Sequence, residues 1–544
     1  MSSNDGGDRE DTFHPLGEEW QDGLEKELEE TEYDTELGLE MARDAMRLSK
    51  GELSEEAFYD RYHEDVLEEF GEDSRPMADE IETAREKGRL EETISKIGDE
   101  ESRREMMKKM GGAGAVGLGA WGTVESQRDD DEPAGAVFAQ DQEADEPDDT
   151  DEDGTQWGMA LDLEHCDGCL SCVVACAEEH SWDQGANWMY VLAYDDDTVS
   201  SPDPDDYEST EDFEYLIRPC QHCTDAPCEK VCPTTARHTR DSDGLVLTDY
   251  DVCIGCRYCQ VACPYGVNYF QWEEPEIGED ELEDGHVYDA RDRPVGARGP
   301  RGVMEKCTFC ATRQDGQQGE EQVGTTACED ACPPEVIQFG DMNNPNSDPQ
   351  RYIDNTAKSR TLVRIEGGLP SVEDVEEALE DEDEDIDAVV DAVEGVDEDT
   401  IALLLAIGIL SDDDQLESDE NSSLVAQEVT ALELLAVLED HGLEFDEELL
   451  IELELAEAPD EDEDEEFDGP SEDLAQERLE EFAGDPESSF KLLDDIGTDP
   501  NVVYLGNQPG SGAHQVPGPV AYDEVGQTDN RKDVLDEGTV DLNF

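Results

Sequence analysis

The sequence predicts an α+β fold in which short strands and cysteine-rich turns at the centre of the chain are flanked by acidic helical regions. Three observations predict this arrangement. Every cysteine falls between residues 157 and 345. Helix-forming sequence with scattered apolar positions fills residues 1–100 and 361–486. Short runs typical of strands interrupt the cysteine-rich region at residues 158–163, 245–248 and 267–272.

The sixteen cysteines fall into four groups with none left over. The first and third groups share the spacing C-x2-C-x2-C-x3-C. The second has the spacing C-x2-C-x4-C-x3-C, and a longer loop splits the fourth. Proline follows the last three groups. The members, group by group, are Cys166, Cys169, Cys172 and Cys176; Cys220, Cys223, Cys228 and Cys232; Cys253, Cys256, Cys259 and Cys263; Cys307, Cys310, Cys328 and Cys332.

This spacing has a physical reason. Three cysteines at two-residue intervals allow one tight loop to reach three corners of an iron–sulfur cube, and the fourth ligates the neighbouring cluster in two-cluster ferredoxins. We therefore predict four [4Fe–4S] clusters, held in two ferredoxin-like units of the β-α-β type. Structural zinc favours paired C-x2-C units, disulfide frameworks belong to small secreted domains, and a redox dithiol explains a single C-x-x-C. None of these alternatives explains the repeated triple spacing.

Composition divides the chain into five expected parts. They are an acidic helical N-terminal region (1–100), a twin-arginine-like segment with an acidic linker (101–156), a four-cluster ferredoxin-type domain (157–353), an acidic helical insertion (361–486), and a C-terminal segment that returns to the ferredoxin core and ends in a flexible tail (488–544).

The charge of the chain is extreme. It has 151 Asp and Glu against 35 Lys and Arg, a formal net charge of -116 over 544 residues. Such a surface repels itself until molar salt shortens the Debye length to about 3 Å. We therefore predict adaptation to a high-salt cytoplasm, as in halophilic archaea; intrinsic disorder is the alternative. We expect no binding to nucleic acid, because phosphate contacts need clusters of Lys and Arg.

The N-terminal hundred residues carry apolar side chains at spacings that fit amphipathic helices. The clearest of these positions are Trp20, Leu24, Phe58, Tyr62 and Leu67. No motif with recognisable chemistry occurs here. We therefore favour a small helical docking module, with a partly ordered arm as the alternative.

The next segment contains a twin-arginine pair. Arg103 and Arg104 precede a weakly apolar, Gly-rich stretch at 111–122 and a small-residue site at 137–139. This order is typical of a twin-arginine export signal, although it lies about a hundred residues inside the chain. A flexible linker is the alternative interpretation.

The acidic helical region shows three local signals. Ser371 and Asp374 suit a helix capping box, and residues 424–438 have an amphipathic pattern. The longest apolar run, 401–410, is about half the length of a membrane-spanning helix. It predicts the buried face of a core helix, so we expect no direct membrane span.

Several stretches carry a resemblance to a known family. They read DLEHCDGC at 162–169, RPCQHC at 218–223, CIGCRYC at 253–259, EKCTFC at 305–310, and a tail at 492–505 that contains GTDPN. Here the sequence resembles the four-cluster electron-transfer subunit of the dimethyl sulfoxide reductase and polysulfide reductase family of molybdopterin oxidoreductases. The resemblance covers about 157–353 and 488–505, under half of the chain. Nitrate-reductase-type relatives replace one cysteine by Trp, and none is replaced here.

The resemblance also implies how the cysteines pair. In such subunits the middle motifs exchange their fourth cysteines with each other, and so do the outer motifs. Spacing alone leaves open a pairing of the first motif with the second and the third with the fourth. The implied ligand sets are Cys166, Cys169, Cys172 and Cys332; Cys220, Cys223, Cys228 and Cys263; Cys253, Cys256, Cys259 and Cys232; Cys307, Cys310, Cys328 and Cys176.

The function that the resemblance implies is conduction of electrons, without bond-making catalysis by this chain. Single electrons would pass through the four clusters between a molybdopterin-containing catalytic subunit and a polytopic membrane subunit that binds quinone. We expect membrane association through these partners, on the outer face if Arg103 and Arg104 direct export and in the cytoplasm otherwise. The alternatives are a soluble polyferredoxin and the iron–sulfur subunit of a quinol-oxidising complex without molybdenum.

Three basic residues lie in or beside the motifs of this acidic chain. Arg257 is inside the third motif, and Lys306 and Arg313 flank the start of the fourth. Positive charge near a cluster raises its reduction potential. We therefore expect these residues to adjust the potentials; an ordinary ion pair is the alternative for each.

Overall fold

The computed structural model describes residues 13–78, 154–196, 213–379, 386–411, 416, 422–458 and 467–529, with gaps at 16, 184–185, 279–280, 394, 444, 468, 487 and 511. The predicted export segment, including Arg103 and Arg104, and nearly all of the acidic linker lie outside the described residues.

The N-terminal unit consists of three helices, α1 (Glu18–Glu29), α2 (Thr35–Ser49) and α3 (Glu55–Phe70). The side chains of Asp34 and Ser54 cap α2 and α3 by accepting backbone N–H groups of the first turn. The apolar faces of the three helices meet in a core that includes Leu24, Met41, Ala45, Phe58, Tyr62 and Val66. The predicted helices are present. Leu67, however, does not lie on the buried face, because its side chain is exposed.

This unit packs against the cysteine-rich centre. The ring of Tyr258 lies against α2 beside Gly38, where any larger residue would collide with it. The Tyr258 hydroxyl donates to the carbonyl of Asp34 at 2.6 Å. His14 Nε2 lies 3.1 Å from the carbonyl oxygen of Cys263. The N-terminal helices therefore cover one end of the cysteine-rich region.

The described strands are short and lie mainly in the centre and near the C-terminus. They are β1 (Trp157–Asp162), β2 (Tyr190–Asp196), β3 (Glu214–Arg218), β4 (Arg237–Thr239), β5 (Val246–Thr248), β6 (Tyr269–Phe270), β7 (Met304–Glu305), β8 (Ile337–Asp341), β9 (Ser489–Phe490), β10 (Val502–Leu505) and β11 (Ala513–Val516). Three of them, β1, β5 and β6, lie in the runs predicted as strands.

Two sheets join distant parts of the chain. The first has the order β8-β1-β10-β9, in which β1 and β10 are parallel and the other pairs are antiparallel. The second has the order β11-β2-β3 and is antiparallel. The hairpin β4–β5 and the two-stranded antiparallel pair β6–β7 complete the centre. Strands from the C-terminal segment thus complete both sheets.

The central helices are short, and four of the six carry cysteines. They are α4 (Ser171–His180), α5 (Pro227–Lys230), α6 (Tyr258–Val261), α7 (Asp284–Val287), α8 (Ala311–Gln314) and α9 (Ala327–Asp330).

Between β8 and β9, the described part of the chain contains eight α-helices, whose leucine-rich faces form a separate core. Ser371 accepts the backbone N–H of Asp374 at the start of one of them, as predicted. The run 401–407 is buried, and none of the described helices is long and apolar enough to cross a membrane. The helices are α10 (Asp348–Asp354), α11 (Thr356–Glu366), α12 (Val372–Leu379), α13 (Ile386–Ala392), α14 (Glu398–Ile409), α15 (Ser423–His441), α16 (Glu447–Glu452) and α17 (Glu472–Ala483).

Buried ion pairs fix these helices. Glu428 on α15 is fully buried and pairs with Arg351 and Lys358. Asp162, at the end of β1, accepts two hydrogen bonds from Arg360 on α11, at 2.7 and 2.8 Å. The second network ties the helical region to the first sheet.

Candidate iron–sulfur site

Each cysteine motif begins with the same backbone turn. The residue two positions after the first cysteine has a positive φ in all four motifs: 63° at Gly168, 40° at His222, 66° at Gly255 and 54° at Phe309. Glycine adopts this conformation without strain, whereas His222 and Phe309 each cost of order 1 kcal/mol or more. Their rings stack with centroids 3.9 Å apart, which helps to hold the second and fourth motifs together.

Three cavities are lined by four cysteines each, three from one motif and one from another. Set 1 is defined as Cys166, Cys169, Cys172 and Cys332. Set 2 is defined as Cys220, Cys223, Cys228 and Cys263. Set 3 is defined as Cys232, Cys253, Cys256 and Cys259.

The remaining four cysteines also come together. Burial, and then the charges of Cys307, Cys328 and Cys310, raise the pKa of the Cys176 thiol well above its usual value. We call these four residues set 4. The middle motifs therefore exchange one cysteine with each other, and the outer motifs do the same.

All sixteen cysteines are free thiols in this structure, with no disulfide among them. Within the described residues, no three or more Cys, His, Asp or Glu side chains are placed to hold a single metal ion. A cube of iron and sulfur takes its ligands at separate corners, so its thiols surround a cavity rather than converge on one point.

Burial keeps most of these thiols protonated in the absence of metal. It raises the pKa of Cys166 and Cys259 to about 12 and that of Cys332 and Cys307 to about 11. Iron binds thiolates, so its positive charge must replace these protons when a cluster assembles. The sites are therefore suited to hold metal and poorly suited to nucleophilic chemistry.

Hydrogen-bond donors surround the sulfur atoms. Trp182 Nε1 donates to Cys176 Sγ at 3.5 Å, and the backbone N–H of Arg237 donates to Cys232 Sγ at 3.3 Å. His180 Nε2 lies 3.4 Å from Cys310 Sγ. Hydrogen bonds to sulfur are one of the ways in which proteins raise cluster potentials. These three residues were not predicted from the sequence, because each lies outside the cysteine motifs.

The three basic residues singled out from the sequence have different surroundings. Lys306 lines the set 2 cavity, and its Nζ donates to the backbone carbonyls of Val246 and Cys307. Its charge therefore has no carboxylate among these partners.

Arg257 lines the set 3 cavity, with its guanidinium 4.0 Å from the ring centroids of both Phe270 and Trp272. It also donates to the backbone carbonyl of Glu27 at 2.8 Å, which links α1 to the third motif.

Arg313 forms ion pairs with Glu179 at 2.9 Å and Asp330 at 2.6 Å. Two carboxylates therefore compensate its charge, which weakens the expectation that it adjusts a potential. The ion-pair alternative describes this residue better, although its side chain is buried rather than on the surface.

Comparison with known proteins gives the class of the chain. Residues 211–279 match the family described as 4Fe-4S dicluster domain. Residues 14–78 match the family described as the N-terminal region of 4Fe-4S ferredoxin iron–sulfur binding. The chain is thus a ferredoxin-type iron–sulfur protein. From the sequence alone the N-terminal helices had no counterpart, and the second match supplies one.

Three relatives narrow this class. The chain is 42% identical to a protein of Halobacterium salinarum provisionally named as an iron–sulfur subunit of dimethyl sulfoxide reductase, over 37% of this chain and 71% of the relative. It is 35% identical to the menaquinone reductase iron–sulfur cluster-binding subunit of Nitratidesulfovibrio vulgaris, over 39% and 83%. It is 35% identical to the arsenate respiratory reductase iron–sulfur subunit of a Shewanella species, over 36% and 86%.

The chain belongs to the family of iron–sulfur electron-transfer subunits of the dimethyl sulfoxide reductase type. Its cofactors are [4Fe–4S] clusters. Each such cluster takes four cysteine ligands, so sixteen cysteines are the number that four clusters need. Adaptation to high salt stays a prediction from the charge.

Proposed function

We propose that this chain relays single electrons through four [4Fe–4S] clusters held by sets 1 to 4. When bound, each cluster takes up and releases one electron. Sets 2 and 3 would form one ferredoxin-like unit and sets 1 and 4 the other, and we further propose that 361–486 is an insertion in this core.

The observation that carries this proposal is that each set neighbours the next in the order 1-4-2-3. Helix α4 holds Cys172 of set 1 and Cys176 of set 4, one turn apart. The thiol of Cys307 in set 4 is close enough to Cys220 in set 2 for their charges to interact, and His222 Nε2 lies 3.0 Å from the Cys307 carbonyl.

The last step of this order joins set 2 to set 3. These sets exchange cysteines between the second and third motifs, and the thiols of Cys228 and Cys259 interact. In the order 1-4-2-3, both end sets have partly exposed cysteines, for example Cys166 in set 1 and Cys253 in set 3. Of the two inner sets, set 4 is wholly buried and set 2 has one partly exposed cysteine, Cys228. This arrangement suits entry of electrons at one end and exit at the other.

We propose two partners at these ends, a molybdopterin-containing catalytic subunit and a polytopic membrane subunit that binds quinone. The names of the relatives support this choice, since they combine reductases for dimethyl sulfoxide and arsenate with a menaquinone reductase. Purification of the native protein under mild conditions, with molybdenum analysis, tests it. We expect a molybdenum-containing partner to co-purify; recovery as a free monomer would contradict the proposal.

A second candidate is the iron–sulfur subunit of a quinol-oxidising complex without molybdenum. The identity to the menaquinone reductase subunit favours it. The same purification separates the two candidates, because this complex would react with quinone and contain no molybdenum.

We also propose that Arg103 and Arg104 direct export of the folded protein to the outer face of the membrane. The test replaces both by Lys and fractionates the cells. Retention of the variant in the cytoplasm supports export, and unchanged membrane association would show that the pair is idle.

A further inference from the structure

Arg237, on strand β4, is a buried cation with no acidic hydrogen-bond partner in the part of the chain that the structure describes. Its side chain is 1% exposed. Its Nη2 donates to Asn268 Oδ1 at 2.9 Å and lies 3.8 Å from Cys259 Sγ. Among the described residues its hydrogen-bond partners are an amide and sulfur atoms, with no carboxylate. A buried charge is strongly unfavourable unless opposite charge compensates it, so the compensation must come from elsewhere.

The position of Arg237 indicates where that compensation comes from. It lines the cavity of set 3, while its partner Asn268 lines the cavity of set 2. The Nη2 of Arg237 lies beside Cys259 Sγ, and its charge is also close enough to the Cys228 thiol to interact with it. One of these cysteines belongs to set 2 and the other to set 3.

Two nitrogen atoms of the guanidinium, Nε and Nη1, have no hydrogen-bond partner among the described residues. A guanidinium carries five N–H donors and accepts nothing, so these atoms need acceptors. Sulfur atoms of a bound cluster are such acceptors, and hydrogen bonds to sulfur are known to adjust cluster potentials. The residues present therefore fit clusters at sets 2 and 3.

We propose that the positive charge of Arg237, which lies beside sets 2 and 3, raises the reduction potentials of both clusters. This rests on the proposed function, which assigns the two sets as cluster ligands. A reduced cluster carries one more negative charge than an oxidised one, so a fixed cation beside it stabilises the reduced form. Because one cation lies beside both clusters, it shifts both potentials in the same direction.

The test is a potentiometric EPR titration of the native protein with Arg237→Gln and Arg237→Lys. Gln keeps an N–H donor and removes the charge, whereas Lys keeps the charge. The matched control is Arg240→Gln, which removes a nearby buried arginine that is paired with Asp243 and Asp315. This control separates the charge of Arg237 from general disturbance of the hairpin.

We expect Arg237→Gln to lower the potentials of two of the four clusters. Their ratio of reduced to oxidised form should fall about tenfold at fixed potential, which is ~59 mV for a one-electron couple. Arg237→Lys should keep both potentials near those of the wild type, and Arg240→Gln should shift none. The proposal is overturned if Arg237→Gln shifts no cluster or all four equally, or if either Lys or the control shifts the same two as far.

Iron content keeps the test informative if Arg237→Gln assembles poorly. Full iron in Arg237→Lys alone would support the need for positive charge, and loss of iron in both variants would overturn the proposal in favour of packing by the guanidinium. Failure of the proposed function would look different, because the wild-type protein itself would then lack four cluster signals or a redox partner.

Discussion

The cysteine-rich centre and the helical region that follows it both have an apolar core, but only the centre is built around cysteines. The centre consists of strands of two to seven residues and mostly single-turn helices around four sets of buried and half-buried thiols. The helical region contains helices of up to 19 residues around a core of Leu, Ile and Val, fixed by buried ion pairs. Apolar burial stabilises both regions, and clusters bound to the four sets would add folding free energy to the centre alone.

The two regions should therefore respond differently to substitutions. Loss of a ligand in the centre should remove a cofactor and the order that depends on it. Loss of a contact in the helical region should reduce stability without changing the cofactors. Four substitutions test this contrast.

Cys232→Ala should remove one whole cluster. The residue lies in the second motif but lines the set 3 cavity, so we expect loss of the EPR signal of set 3 and of about four irons per chain. Cys263→Ala is the matched variant, which lies in the third motif and lines the set 2 cavity. Loss of the same signal in both variants would contradict the exchange of cysteines between the two motifs.

Glu428→Ala should destabilise the helical region by about 3–5 kcal/mol, because it leaves Arg351 and Lys358 as buried cations without their carboxylate. Urea unfolding followed by far-UV circular dichroism measures this effect, and EPR should show four unchanged clusters. Glu433→Ala removes an exposed carboxylate of the same helix and serves as the control. An altered cluster signal in Glu428→Ala would show that the two regions are not independent.

Asp162→Asn tests the contact between the two regions through the pH dependence of stability. Burial opposes ionisation, but hydrogen bonds from His165 and Arg360 prevail and lower the pKa of Asp162 to about 2. A pKa lowered from 3.8 stabilises the folded state by about 2 kcal/mol above pH 4. This contribution disappears as the pH falls towards 2. The stability difference between wild type and variant should therefore shrink by that amount between pH 5 and pH 2, and a constant difference would refute it.

Ser54→Ala should have the smallest effect, about 1 kcal/mol, because it removes the cap of α3 in the N-terminal unit. Thermal unfolding measures it. Ser74→Ala is the control, since Ser74 is exposed and contacts Pro233 through its backbone N–H. Equal effects of the two substitutions would argue against the cap.

The sequence was most informative where structure is local. The motif spacing alone predicted the cysteine groups and their cofactor, since a turn of three or four residues fixes which thiols face one cluster. The capping residue Ser371 and the buried run at 401–407 were also predicted, because caps and apolar runs act within one helix.

The features that were not predicted depend on contacts between residues far apart in the sequence. Arg237 follows the second motif with no local signal, and only the approach of Cys259 and Asn268 makes it notable. Arg313 looked like a residue that adjusts a potential until the structure paired it with Glu179 and Asp330. The helix pattern likewise could not show that Leu67 faces solvent, because its exposure depends on where α3 packs.

The most direct test of the account is the iron and acid-labile sulfide content of the native protein, purified without oxygen and examined by Mössbauer spectroscopy. Four cubane clusters on sixteen cysteines predict about sixteen irons per chain, all in [4Fe–4S] clusters. About eight irons per chain would contradict the assignment of all four sets as cluster sites.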